Sequence, residues 1–210
     1  MAAKSSKLQA VFARGVHTLE QLPNDGRPQI AVGGRSNVGK SSLLNTIFSR
    51  RGLAKVSATP GKTRALNFFL VNDLFYVVDL PGYGYAKASK EDQANWKALI
   101  ESYFQSCKDI AGVALLLDSR HDPSAADRQM ISWLAERELP AMIVLTKTDK
   151  LNRQQVKVRE ADLERELNTG VLPFSSVTGL GKLELRRALL ELVSEFKPKG
   201  RQKKERAVHV

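Results

Sequence analysis

A strand-like run from Gln29 to Gly33 leads into Gly34-Arg35-Ser36-Asn37-Val38-Gly39-Lys40-Ser41, and a helical apolar pattern begins at Lys40. The spacing is G-x-x-x-x-G-K-S in the context that motif requires: strand before, helix after. Glycines let the backbone turn tightly enough for successive N–H groups to point inward, and the helix adds the positive end of its dipole, so the loop is built to hold phosphates. Lys40 is placed to reach β- and γ-phosphates, and the Ser41 hydroxyl to ligate magnesium, which prefers hard oxygen donors. Arg35, Ser36, Asn37, Val38, Gly39 and Ser42 complete the expected cradle.

The rest of the chain fits that start. Short apolar runs alternate with longer helical patterns, which predicts an α/β fold with a mixed, mostly parallel sheet covered by helices on both faces. Six strands are expected, at Gln29 to Gly33, Leu66 to Val71, Phe75 to Leu80, Val113 to Asp118, Ala141 to Thr146 and Leu172 to Ser175. Asn72-Asp73 reads as a tight hairpin, so one edge strand should run against the others. Helices are expected to open at Lys40, near Ser89, at Ser124, near Arg153 and near Gly181. In the second of these, Trp96, Ile100, Tyr103, Phe104 and Cys107 recur at helical spacing and should face the sheet. At 210 residues the chain suits one domain over residues 22–196, with an N-terminal extension (1–21) and a basic tail (197–210).

Strand ends carry the remaining chemistry. Asp79-Leu80-Pro81-Gly82 puts a carboxylate where it can meet magnesium through a water, and Gly82 can offer its N–H to a γ-phosphate. Thr146-Lys147-Thr148-Asp149 follows a buried strand. The Asp149 carboxylate can accept from N1–H and the exocyclic amine of guanine, whereas adenine offers an acceptor at N1, so GTP or GDP is the expected ligand. The Lys147 stem can lie over the base. Ser175-Ser176-Val177 can supply backbone N–H to the guanine O6. Between the phosphate loop and the hairpin, Gly61-Lys62-Thr63-Arg64-Ala65 lies in a stretch without periodicity, and Thr63 is the candidate hydroxyl to close over magnesium when the γ-phosphate is present. Lys40, Thr63 and Gly82 are the expected catalytic groups.

Charge points to a partner. The formal net charge is +11, which favours a polyanion. The last fourteen residues carry six Lys or Arg against one Glu. No acidic residue falls between Asp25 and Asp73, where Arg27, Arg35, Lys40, Arg50, Arg51, Lys55, Lys62 and Arg64 all lie, so that segment is expected to surround the phosphates. No apolar run is long enough to cross a bilayer, and no secretory leader is legible, which gives a cytoplasmic address and no membrane partner. Cys107 stands alone, and His17, His121 and His209 are too scattered to hold a metal together.

GRSNVGKSSLLN, TPGKTRALNFF, DLPGYGYAK, DSRHDP, TKTDK and FSS together resemble the EngB (YihA/YsxC) family of bacterial GTPases, within the larger group that includes Era and EngA. The resemblance implies a GTPase acting in assembly of the large ribosomal subunit, with effects on growth and septation; independently of it, the excess positive charge, the tail and the basic segment suit contacts with ribosomal RNA phosphates, and a monomer is expected. The resemblance also implies a potassium ion held through Asn37, the position where related potassium-activated GTPases carry a ligand. The competing reading of Asn37 is a cap on the loop backbone. Ras-like enzymes orient the attacking water with a Gln after DxxG, but Tyr83 stands there, so slow intrinsic turnover is expected. Two function classes follow: a GTPase that releases a ribosomal partner on hydrolysis, or an RNA-binding module that GTP only gates.

Overall fold

The computed structural model describes residues 8–54, 65–83 and 90–198, of which 90–96 by their backbone. Among the described residues there is one sheet of seven strands in the order β1-β3-β4-β2-β5-β6-β7. The strands are β1 (Ala10–Val16), β2 (Gln29–Gly34), β3 (Leu66–Val71), β4 (Phe75–Asp79), β5 (Ile110–Asp118), β6 (Ala141–Thr146) and β7 (Val171–Pro173). The helices are α1 (Lys40–Ile47), α2 (Lys90–Ser106), α3 (Ala125–Glu136), α4 (Arg153–Leu167) and α5 (Lys182–Glu195).

The central strands are buried along almost their whole length, as strands covered on both faces must be. Alternation divides their side chains between two layers. Ile30, Val32, Ala114 and Leu116 join Leu43, Leu44 and Ile47 of α1 and Leu185 and Leu189 of α5 on one face. Ala31 and Val113 meet Ile100, Tyr103 and Phe104 of α2 and Leu134 of α3 on the other. Leu115 and Leu117 continue that second face toward Leu163 of α4. The apolar stripe expected in the second helix therefore faces the sheet at Ile100, Tyr103 and Phe104, with Cys107 half-buried beside them. Burial pushes the Cys107 thiol up to about 11, which keeps it protonated and inert.

Helix starts follow local chemistry. Ser124 accepts from the N–H of Asp127 while Asp127 reaches back to the Ser124 N–H, and Asn152 and Gln155 repeat the arrangement at α4. The Asn72-Asp73 turn has both residues at positive φ (48° and 59°), and with Leu74 it forms the three-residue connection between Val71 and Phe75 through which β3 and β4 run antiparallel.

The expected count of six strands is one short. Ala10–Val16, inside the stretch read as an extension, pairs antiparallel with β3 from Ala10↔Val71 to Val16↔Leu66, with an irregularity between Phe12 and Arg14. β3 is therefore interior, and the edge belongs to β1. Only Ala10 and Val16 of this strand are buried; Val11 and Phe12 stay exposed, so its side chains give no alternating signature.

β2 lies between β4 and β5, and both pair with it in parallel. The chain leaves β2 toward one side of the sheet and later returns to the other, so the carboxyl end of β2 sits at the crevice where α/β sheets take ligands. Gly181 ends the last connection at that edge with φ 74°, and a Cβ there would overlap the Pro173 carbonyl. Gly181→Ala should lower stability by about 3 kcal/mol. Urea unfolding checks this, and a change within a few tenths would show that the turn yields freely.

Candidate nucleotide-binding site

Five parallel-strand ends deliver functional groups to one edge. Gly34 closes β2 at φ 147°, where a Cβ would come within 2.9 Å of the Leu116 carbonyl oxygen. Only glycine lets the loop leave the sheet that close to β5. Asn37 (φ 62°) and Gly39 (φ 115°) complete the turn, and α1 begins at Lys40. The Lys40 ammonium donates to the Gly34 and Arg35 carbonyls at 3.1 and 3.3 Å, folded back over its own loop. Burial draws its pKa down, while the nearby Asp79 carboxylate resists.

Asp79 ends β4 beside this lysine and is 7% exposed. Burial pushes its carboxyl up to about 6, against the pull of the Lys40 ammonium and of Asn67, its partner across β3. Its Oδ1 is buried and accepts no hydrogen bond. Such an oxygen is costly unless something arrives to use it. Gly82 follows, pressed on the loop so closely that a Cβ would fall 2.8 Å from Lys40 Nζ and 3.0 Å from the Ser36 backbone nitrogen.

Tyr83 continues the contact. Its carbonyl accepts from the Ser36 N–H at 2.9 Å, and a parallel bridge joins Tyr83 to Arg35. Its ring is buried against Leu115 and Leu117. The phenol donates to Asp127 Oδ1 at 2.7 Å, and burial together with the Asp127 charge raises the phenol pKa far above its ordinary value. The residue in the Gln position is thus a strut from the phosphate loop to the first turn of α3.

The other end of the edge is tightly hydrogen-bonded. The buried Thr146 hydroxyl is shared between the Val38 and Leu117 carbonyls at 2.8 and 3.0 Å. Lys147 lies at φ 59°, and its ammonium donates to the Asn37 carbonyl at 2.7 Å and to Asp118 Oδ2 at 2.9 Å. Arg120 grips the same carboxylate with two side-chain bonds of 2.9 and 2.8 Å. Although burial works against the charge, the bonds from Arg120 and Lys147 hold the Asp118 carboxyl well below the usual carboxylate range. Asp149 Oδ1 accepts from the Ser175 hydroxyl at 2.8 Å, which lowers its pKa and fixes the carboxylate's orientation. A cavity of about 210 Å³ opens beside this array, lined by Asn37, Asp118, His121 and Lys147 among others.

The structure brings together Gly34 to Ser42, Asp79 to Gly82, Thr146 to Asp149 and Ser175. Gly61, Lys62, Thr63 and Arg64 lie outside the described residues; Ala65 is buried at the foot of β3. Of Ser175-Ser176-Val177, the first N–H goes to the Leu180 carbonyl and the third to the Ser175 hydroxyl. Ser176 alone among the three keeps its N–H available among the described residues. The expectation that every basic residue between Asp25 and Asp73 surrounds the phosphates is not met. Arg27 pairs with Asp25 and Asp73, and Arg50 and Arg51 follow the far end of α1. Sequence reading missed Asp118 and Asp127. A carboxylate at a strand end was the available signal for Asp118; Ser124-x-x-Asp127 announced a cap but not its bond to Tyr83.

Residues 29–147 match the model of a family described as 50S ribosome-binding GTPase. A probable GTP-binding protein EngB of Syntrophomonas wolfei is 44% identical over 192 residues, spanning 90% of this chain and 97% of the relative. One from Clostridium perfringens is 49% identical, over 84% and 92% respectively. Among solved structures, a probable GTP-binding protein EngB superposes with a TM-score of 0.67 at 23% identity, covering 80% of this chain and all of that one. Era of Aquifex aeolicus gives 0.65 at 22% identity, over 83% and 60%. At these identities the superpositions speak for the fold.

Tyr83→Phe removes one hydroxyl and leaves Asp127 Oδ1 without its donor. The expected loss is about 2 kcal/mol of stability, read from the urea midpoint at unchanged slope. A variant as stable as its parent would show that the phenol does not anchor the turn.

Proposed function

The chain belongs to the EngB family of GTP-binding proteins and is a GTP-hydrolysing enzyme, and from that premise we propose a slow nucleotide-driven switch acting in assembly of the large ribosomal subunit, with consequences for growth and septation. The observation that carries the switch is the docking of Gly82 and Tyr83 on the phosphate loop. The Tyr83 carbonyl takes the Ser36 N–H, and Gly82 lies against the Lys40 ammonium. A γ-phosphate would claim the same lysine and the space before it, so GTP must shift this turn while GDP need not. The shift pulls on the Tyr83–Asp127 bond and reaches α3.

Recognition of the nucleotide divides along the edge. Arg35 to Ser42 cradle the phosphates, Lys147 covers the base, and Asp149 selects guanine, with Ser176 N–H directed to O6. The buried, unpartnered Asp79 Oδ1 fits a hydrated magnesium ion, with Ser41 as a direct ligand and Thr63 as the second. Magnesium, when bound, neutralises charge that builds on the β- and γ-phosphates. Lys40 supplies fixed positive charge to the same oxygens, and Gly82 a backbone donor. Tyr83 is buried and bonded to Asp127, which supports slow intrinsic turnover, since it does not orient water as a Gln would.

Completion of the site falls to potassium or to the ribosomal particle. The Asn37 side chain is exposed and makes no hydrogen bond among the described residues, which weakens its reading as a loop cap and supports a role as a cation ligand. A family described as 50S ribosome-binding supports the large subunit as partner. The chain's net charge of +11 suits RNA phosphates. The expected oligomeric state is a monomer, and among the described residues no helix is long and apolar enough to cross a membrane.

Two experiments bear on this. Asp149→Asn should weaken GDP about 100-fold, from two lost charge-assisted bonds, and should improve XDP, whose C2 carbonyl can accept from the new amide. Calorimetric titration checks both, and unchanged GDP affinity would remove Asp149 from the base site. Single-turnover GTP hydrolysis should be faster in potassium than in sodium, and faster again with large subunits added. Equal rates in the two salts dismiss the potassium ion; subunits that bind without accelerating hydrolysis would favour gating by GTP alone.

A further inference from the structure

Arg50 and Arg51 stand at the wrong end of α1 to serve the nucleotide. The eight-residue helix carries them about 12 Å from the phosphate loop. α5 brings two more cations to the same corner. Lys182 Nζ and Arg186 Nη2 both donate to the Ser49 hydroxyl, at 3.0 and 3.1 Å. Arg186 Nε also bonds the Ile47 carbonyl at 2.6 Å, and Arg50 Nη1 the Ala10 carbonyl at 2.9 Å. Four cations from two distant stretches of chain thus meet around the last turn of α1.

None of the four forms an ion pair among the described residues. Several cations elsewhere are paired: Arg27 meets Asp25 and Asp73, Arg120 meets Asp118, Arg128 meets Glu166 and Arg159 meets Asp122; what sets this corner apart is that its four cations converge on one place. Part of the corner has a local explanation, because Arg186 satisfies a terminal carbonyl of α1 where the dipole favours positive charge. That accounts for one charge of four. Arg50 and Arg51 remain exposed, and like charges gathered without carboxylates repel until an anion joins them.

We propose that this corner, where α1 ends and α5 begins, is a face that binds RNA phosphates. The proposal rests on the ribosomal-partner reading and adds the place of contact. Guanidinium forks match the paired oxygens of phosphate. Backbone carbonyls and Ser49 brace Arg50, Lys182 and Arg186, so the cations are already ordered before contact. The last turn of α1 is at the opposite end of that helix from the phosphate loop, which leaves the turn at Gly82 and Tyr83 free to move while RNA is held.

The test is fluorescence anisotropy with a short fluorescein-labelled RNA hairpin across a salt series. It compares the parent, Arg50→Gln/Arg51→Gln/Lys182→Gln, and a control with the same charge change elsewhere, Lys108→Gln/Arg153→Gln/Lys157→Gln. GDP affinity, measured alongside, should match the parent in both variants and certifies the fold. The log–log salt slope of the first variant should fall by about 2, from three lost phosphate contacts, while the control keeps the parent slope. Parent-like slopes in both variants, or an equal fall in both, would overturn the face while leaving the ribosomal partner standing. A parent that binds no RNA overturns both. Loss of binding to phosphatidylserine vesicles with RNA binding retained would overturn RNA in favour of a membrane.

Discussion

Half-buried Lys40 and buried Asp79 carry opposite charges near one another at the carboxyl edge of the sheet without forming an ion pair, and much of the site follows from that incomplete settlement. Each loses hydration by burial, and each relieves the other only in part: the lysine's pKa is drawn down and the Asp79 carboxyl is pushed up to about 6. Lys40 spends its protons on loop carbonyls, and one Asp79 oxygen has no donor at all. A buried carboxylate oxygen without a donor is costly. Phosphate oxygens would satisfy the first group and a hydrated cation the second, so ligand binding removes a cost already built into the fold.

The two halves of the edge differ in how far they are finished. At the base end, Asp118, Arg120 and Lys147 form a closed set of charge-assisted bonds, Thr146 ties its hydroxyl to the phosphate loop and to β5, and Ser175 orients Asp149. At the phosphate end, backbone of Gly82 and Tyr83 fills space against Lys40 and Ser36. On the proposed reading as a switch, the hydrogen-bonded base end would anchor either nucleotide and the terminal phosphate would decide the conformation of the Gly82–Tyr83 turn.

Legibility followed the length scale of each signal. The helices at Ser124 and Asn152 announced themselves because both halves of a capping box lie within four residues. The hairpin at Asn72-Asp73 did so because positive φ favours those residue types. β1 did not: Val11, Phe12 and Arg14 face outward or to an edge, the pairing with β3 slips between Phe12 and Arg14, and no alternation survives. The basic segment before Asp73 was read as one electrostatic unit because the chain is continuous there, yet α1 carries its two ends to opposite sides.

By itself the sequence determined the phosphate loop, the strand-ending Asp79, the TKTD turn and the order of helices and strands, since each rests on backbone preferences and spacings within a few residues. Only the tertiary structure decided that Tyr83 reaches Asp127 across 44 positions, that Lys147 closes on Asp118 across 29, that Ser175 aims Asp149 across 26, and that Arg186 meets Ser49 across 137. Those pairings depend on strand register and helix packing, which set where distant side chains arrive and which no local pattern encodes.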